Sequence, residues 1–257
     1  SLKRLGTDYI DLYILHTWDK VTPAEEVMRT LNDLVSAGKV RYIGLSDIPA
    51  WYAARAQTIA EYRNYEPISA LQLEYSLVER NIEREFITLG QELGMGTMIW
   101  SPLASGLLSG KYKPSENGFS GKGRLDLTRD IDNPAFQKMS DKNWKIVAQL
   151  EAVAKELGRS MAQVAVNWAA NRPGIASVII GASKLSQLED NIKVSDFEIP
   201  TELANRLEDV SKPEPQFPYT FFDTEIQGMI NGGATVGDKP SGYQQSVLSE
   251  SAGAGVS

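Results

Sequence analysis

Short runs of β-branched and aromatic residues alternate with stretches of helical periodicity, and this alternation constrains the fold more than any other feature of the chain. Strands joined through helices pair in parallel, because each helix carries the chain back along the sheet. Residues 9–16, Tyr9 to His16, open the series, and their near-continuous apolarity suits a strand covered on both faces. Thr22-Pro23-Ala24-Glu25 reads as a helix start: an N-cap hydroxyl, Pro at the first helical position, and a Glu that can return a hydrogen bond to the cap. Val27, Leu31, Leu34 and Val35 follow at helical spacing, and Gly38 suits a left-handed stop. The pattern predicts further strands over 42–46, 70–75, 96–100 and 177–181. It predicts helices over 51–63, 81–93, 141–157, 161–170, 185–193 and 201–210, with Ser160 and Gln163 forming a capping pattern. The irregular stretch 102–139 is too long for an ordinary connection. Either a doubly wound sheet or a closed (β/α) barrel accommodates such strands.

Composition narrows the classes. The 42% hydrophobic and 23% charged residues suit a packed core, and no run approaches the ~18 apolar residues of a spanning helix. No membrane partner is expected. With no Cys and one histidine, His16, disulfides, thiol catalysis and His- or Cys-based metal sites are excluded, and no metal is expected. A net charge of -7 argues against a nucleic-acid surface, leaving room for a local basic spot that takes one phosphorylated cofactor. The polar residues after Leu5 give no signal-peptide core, so the expected location is cytoplasmic. The length of 257 residues equals that of a complete eight-unit barrel, about 250 residues, yet the pattern yields five strand–helix units. Residues 1–211 read as the domain; 212–257 read as a Pro-, Gly- and Ser-rich extension with a mobile end.

Five motifs, in order, resemble the aldo-keto reductase superfamily. Leu5-Gly6-Thr7-Asp8-Tyr9-Ile10-Asp11-Leu12-Tyr13-Ile14-Leu15-His16 is similar to that family's fourth barrel strand, ending at its catalytic histidine. Gly38-Lys39-Val40-Arg41-Tyr42-Ile43-Gly44-Leu45-Ser46-Asp47 resembles the fifth, and Leu71-Gln72-Leu73-Glu74-Tyr75-Ser76 the sixth. The run from Trp100-Ser101-Pro102-Leu103 through Gly110-Lys111-Tyr112 resembles the seventh strand with its cofactor loop. Val178-Ile179-Ile180-Gly181-Ala182-Ser183-Lys184, with Gln187, Asp190 and Asn191, resembles the eighth strand and the adenosine site.

The resemblance implies a TIM barrel and hydride transfer between NADPH and a small-molecule aldehyde or ketone at its C-terminal mouth. It assigns His16 to orienting the substrate oxygen, and Ser46, Asp47 and Gln72 to the nicotinamide carboxamide. Asp47 stands where many relatives carry Asn, so it brings an acceptor without a donor. Trp100 would stack on the ring, while Ser101, Pro102, Leu103, Ala104, Gly106, Leu108 and Lys111 would approach the pyrophosphate. Gly181, Ser183, Lys184, Gln187, Asp190 and Asn191 would meet the adenosine, with Lys184 favouring its 2'-phosphate. Trp18 and Trp51 would line the substrate pocket. The family's catalytic Asp, Tyr and Lys lie upstream of the histidine strand, where this sequence has only fifteen residues and no counterpart for them. Phe222-Asp223-Thr224 repeats the start of the Asp motif, but Gly228 stands where Tyr would follow, and the match reads as chance. A barrel lacking its first three units, poorly active and prone to self-association through its exposed edges, is therefore expected. A catalytically silent nicotinamide-nucleotide-binding or regulatory module is the alternative.

Overall fold

The computed structural model describes residues 1–115, 118–128, 131, 133, 137–222 and 224–234. The chain divides into two compact units, Ser1–Lys212 and Pro213–Ser257. In the first, α1 (Leu2–Leu5) precedes β1 (Ile10–Leu15), followed by α2 (Ala24–Ser36), β2 (Val40–Ser46), α3 (Ala50–Arg63), β3 (Ile68–Glu74), α4 (Phe86–Glu92) and β4 (Gly96–Trp100). The next connection holds a hairpin of β5 (Lys113–Ser115) and β6 (Gly118–Ser120) and the short α5 (Arg124–Leu127). It leads to α6 (Asp141–Leu157), α7 (Met161–Ala170), β7 (Ile175–Val178), α8 (Leu185–Ile192) and α9 (Thr201–Ser211). The second unit holds, among its described residues, a 3₁₀ turn at Tyr219–Phe221 and α10 (Thr224–Ile230). Asp223 and residues 235–257, on which the Asp-motif match and the mobile end were read, lie outside the described residues.

The five long strands form one parallel sheet in the order β1-β2-β3-β4-β7. The parallel α/β layering anticipated from the alternation is present. A closed barrel is not seen among the described residues, because β1 and β7 each pair on one side only. Alternation along each strand sorts the side chains onto two faces. Ile43, Leu45, Leu71, Leu73 and Ile99 lie on one face, buried under the helices with Met28, Leu31, Ala53, Leu150 and Val164. The opposite face starts with the small row Gly44–Ala70–Gly96 and turns polar toward the C-terminal strand ends.

Several boundaries differ from the sequence reading for physical reasons. Thr22 does not cap α2: Asp19 Oδ1 takes the Val21 and Thr22 amides at 2.9 and 2.8 Å, Thr22 Oγ1 donates to Asp19 Oδ2, and the helix begins after Pro23. The single helix read over 81–93 is a 3₁₀ turn, Asn81–Glu83, and then α4, divided where Glu85 leaves helical geometry. The last long strand sits at Ile175–Val178, earlier than 177–181, which leaves Gly181 beyond it. Ser160 and Gln163 form the capping box that the sequence suggests.

A buried ion cluster fastens α9 to the turn after β3. Arg80, 5% exposed, donates to both oxygens of Glu83 at 2.9 and 2.8 Å, to Glu208 Oε1 at 2.6 Å and to Ser211 Oγ at 2.7 Å. Its guanidinium lies over the Trp168 ring at 5.2 Å, and Arg172 lies 5.0 Å from the same ring. Tyr75 stacks on Trp168 and its hydroxyl donates a hydrogen bond to Glu83, so burial and that carboxylate push the Tyr75 phenol up. Burial opposes the Arg80 charge, but Glu83 and Glu208 outweigh it and hold the guanidinium protonated.

Candidate active site

The polar residues of the free face gather at the C-terminal ends of adjacent strands. Ser46 and Gln72 are register partners, as are Glu74 and Trp100, and each pair shares a face by alternation. His16 follows β1 directly and is exposed; Thr17, beside it, donates its hydroxyl to the Asp47 carbonyl at 3.4 Å. Asp47 therefore links four strand ends. Its N–H donates to the Gln72 carbonyl at 3.3 Å, its Oδ2 accepts from Ser46 Oγ at 3.2 Å, and its Oδ1 accepts from the Trp100 indole Nε1–H at 3.1 Å. Asp47 reaches this position with a left-handed backbone (φ 47°), which Asp tolerates better than most residues.

Two further groups stand at this mouth that sequence reasoning did not select. Glu74 follows Gln72 by two positions on the same face, so period-two alternation marks it. Its partner is Lys138, a 7% exposed ammonium 3.0 Å from Glu74 Oε1 and 3.9 Å from Glu79 Oε2. Burial pushes the Glu74 carboxyl above its ordinary range, and Lys138 partly opposes that push. Nothing local in the irregular stretch around Lys138 distinguishes it from a solvated lysine.

The loop after β4 is a series of tight turns closed by its own backbone hydrogen bonds. Ser101, Ala104, Ser105 and Gly106 all adopt left-handed conformations that turn the chain tightly, and the Ala104 and Gly106 N–H groups donate within the loop to the Ser101 and Leu103 carbonyls at 2.8 Å. Ala104 and Leu108 bury their side chains completely, Pro102 is buried and Leu103 is half-buried, so these residues have mainly backbone to offer a ligand. Lys111 folds back over the loop: a Cβ at Gly106 would lie 2.5 Å from its Nζ, and a Cβ at Gly123 would lie 2.7 Å from it. Two glycines thus leave room for the Lys111 ammonium, which also lies over the Tyr112 ring at 5.1 Å.

At the remaining candidate positions the structure separates the residues. Ser183 and Lys184 precede α8 and are exposed, but the Gln187 side-chain oxygen turns back to accept from both their amides, at 2.9 and 3.2 Å. Asp190 points to α7 and accepts from Ser160 Oγ at 2.7 Å and Gln163 Nε2 at 2.9 Å. Asn191 is buried at 4% exposure; its carbonyl accepts from the Lys193 N–H, and its side-chain amide has no hydrogen-bond partner among the described residues. Gln187 and Asp190 are thereby committed to caps, while Asn191 keeps its amide uncommitted. Trp18 and Trp51 meet edge to face, 5.7 Å between centroids, beyond the ends of β1 and β2. A cavity of about 330 Å³ runs beside Trp18, between Tyr13, Leu15, Val27, Leu31 and Tyr52; Trp51 itself is largely exposed and does not line it.

A nicotinamide dinucleotide fits this set of groups: Ser46, which gives its O–H to Asp47 and keeps lone pairs to accept, amphoteric Gln72 beside an indole face, the Lys111 ammonium one loop away, and the Asn191 side-chain amide. No helix among the described residues is long and apolar enough to cross a membrane.

Comparison with known proteins identifies the family of the chain. The chain is 37% identical over 210 residues to the uncharacterized oxidoreductase YrpG of Bacillus subtilis, covering 82% of this chain and 61% of that one. It is 36% identical over 220 residues to the "Probable voltage-gated potassium channel subunit beta" of Oryza sativa subsp. japonica, covering 84% and 66%. With norsolorinic acid reductase of Aspergillus flavus it shares 31% identity over 228 residues, covering 88% and 55%. The chain thus spans between half and two thirds of the length of these relatives. The sequence pattern of the Aldo/keto reductase family matches residues 1–212, so this chain belongs to that family.

Proposed function

We propose that this chain carries the cofactor side of an NADPH-dependent oxidoreductase that reduces an aldehyde or ketone to an alcohol. When bound, the cofactor would supply the hydride; the protein's part is to place it and to stabilise charge growing on the carbonyl oxygen. The observation that carries the reading is the assembly of Ser46, Gln72 and Trp100 on adjoining strand ends, with the Lys111 ammonium in the loop that follows. Ser46 and Gln72 would hold the carboxamide, Trp100 would flank the ring, and Lys111 with the Ser101–Gly106 backbone would take the pyrophosphate. Asn191 would meet the adenosine. The exposed Lys184 ammonium would favour a 2'-phosphate, hence NADPH over NADH. His16, at the end of β1, would direct the substrate oxygen, and Trp18, two residues further on, would border the substrate's approach; the cavity between β1 and α2 lies on the helix-covered face and is not this pocket.

On these 257 residues alone, turnover is expected to be slow. The half-exposed β1 residues Leu12 and Ile14 leave the free face open to water on that side. NADPH titration followed by Trp fluorescence tests the proposal. Saturable quenching in the micromolar range, lost in Lys111→Met, is expected; quenching that is absent, or insensitive to Lys111, would contradict it.

A further inference from the structure

Asp47 carries the one carboxylate at these strand ends, among the described residues, that is bonded only to neutral donors. The indole N–H of Trp100 and the hydroxyl of Ser46 occupy its two oxygens, and no lysine or arginine pairs with it. Its neighbour Glu74 differs, because the buried Lys138 ammonium lies 3.0 Å away. A full negative charge is thus built into the mouth, fixed at four points and attached to the edge of an aromatic ring.

We propose that Asp47 is a specificity-determining residue that makes the site bind the oxidised nicotinamide more tightly than the reduced one. The inference rests on the cofactor reading above. The oxidised ring is cationic and the reduced ring neutral, whereas their phosphates and adenosine are the same, so a fixed carboxylate near the ring acts on the difference alone. Trp100 adds to the effect. An indole whose N–H donates to a carboxylate has a more electron-rich face, and an electron-rich face attracts a cation more strongly. The preference expected from one partly screened charge is on the order of fivefold.

Calorimetric titration of the 257-residue chain with NADP⁺ and with NADPH, repeated on Asp47→Asn, tests this. Asparagine keeps an acceptor oxygen for the Trp100 N–H and removes the charge. The wild-type chain should bind NADP⁺ about fivefold more tightly, and the ratio should fall toward one in the variant. An unchanged ratio in a folded Asp47→Asn protein overturns the inference while leaving the cofactor site standing. Failure of the wild type to bind either form overturns the cofactor reading, and the inference with it. Should the variant not fold, the wild-type ratio measured at 20 mM and 1 M salt decides: narrowing with salt supports a charge origin, and an unchanged ratio refutes it.

Discussion

Replacing Arg80 with Met removes the guanidinium on which the turn after β3 and the helix α9 converge, while keeping a long apolar stem beside Trp168. Glu83 and Glu208 would lose three charge-assisted contacts at 2.6–2.9 Å, and the Ser211 hydroxyl a fourth at 2.7 Å. Breaking a buried pair from one side typically costs about 3–5 kcal/mol. Two features reduce this: the Glu83 and Glu208 side chains retain 24% and 30% exposure, and Arg172 remains 2.9 Å from Glu208 and 3.9 Å from Glu83. The expected loss is therefore about 2–4 kcal/mol, or roughly 5–12 °C in Tm for a domain of this size. Urea unfolding followed by circular dichroism measures it, with Arg80→Lys as the comparison. Lysine keeps one charge but loses the planar fork, so its loss should fall between wild type and Arg80→Met. A loss for Arg80→Met below about 0.5 kcal/mol, the range of an ordinary surface change, would refute the clamp.

Other perturbations read other parts of the structure. Gly106→Ala forces a left-handed alanine (φ 94°) and places Cβ 2.5 Å from Lys111 Nζ; a stability loss of about 1–2 kcal/mol and at least tenfold weaker NADPH binding are expected by thermal melting and calorimetry. Intact binding would remove Lys111 from the cofactor's contacts. Because burial raises the Glu74 carboxyl above its ordinary value of 4.5, the folded state holds that proton more tightly than the unfolded chain does. Its stabilising contribution is fully present below pH 4.5 and is lost as pH rises through the folded value. The stability of Glu74→Gln relative to wild type should thus improve from pH 4.5 to 8, and a flat or reversed trend in urea midpoints counts against this burial effect. Among the described residues β1 and β7 are paired on one side only, which predicts self-association, visible by sedimentation as dimers or larger species; a strict monomer at 100 μM contradicts it.

Local chemistry made the strands and most helices legible. β4 follows the run Gly96 to Trp100, and α6 and α7 start and stop where their caps stand, since a cap acts within four residues. Competition between neighbours was less visible: Asp19 takes the Thr22 hydroxyl that would otherwise cap α2. The same division holds at the site. Ser46 and Trp100 were readable because each ends a strand of a recognisable motif, and Gln72 because it stands two residues before the end of one. The Trp100 bond to Asp47 joins residues 53 apart, and the Lys138 contact with Glu74 likewise spans two distant segments, so neither leaves a periodic trace. Asp190 shows the converse. Helical spacing grouped it with Gln187 and Asn191, but tertiary packing gave its carboxylate to the cap of α7.

The most direct test of the central claim is the Trp indole region of a ¹⁵N–¹H NMR spectrum during NADPH addition, with the Trp100 signal assigned through Trp100→Phe. Five tryptophans report from different depths of the protein. If the cofactor seats at the C-terminal strand ends, the Trp100 signal should move on binding, while that of Trp168, packed between Arg80, Arg172 and Tyr75, should stay. A Trp100 signal that does not move at saturating NADPH would contradict the placement of the site.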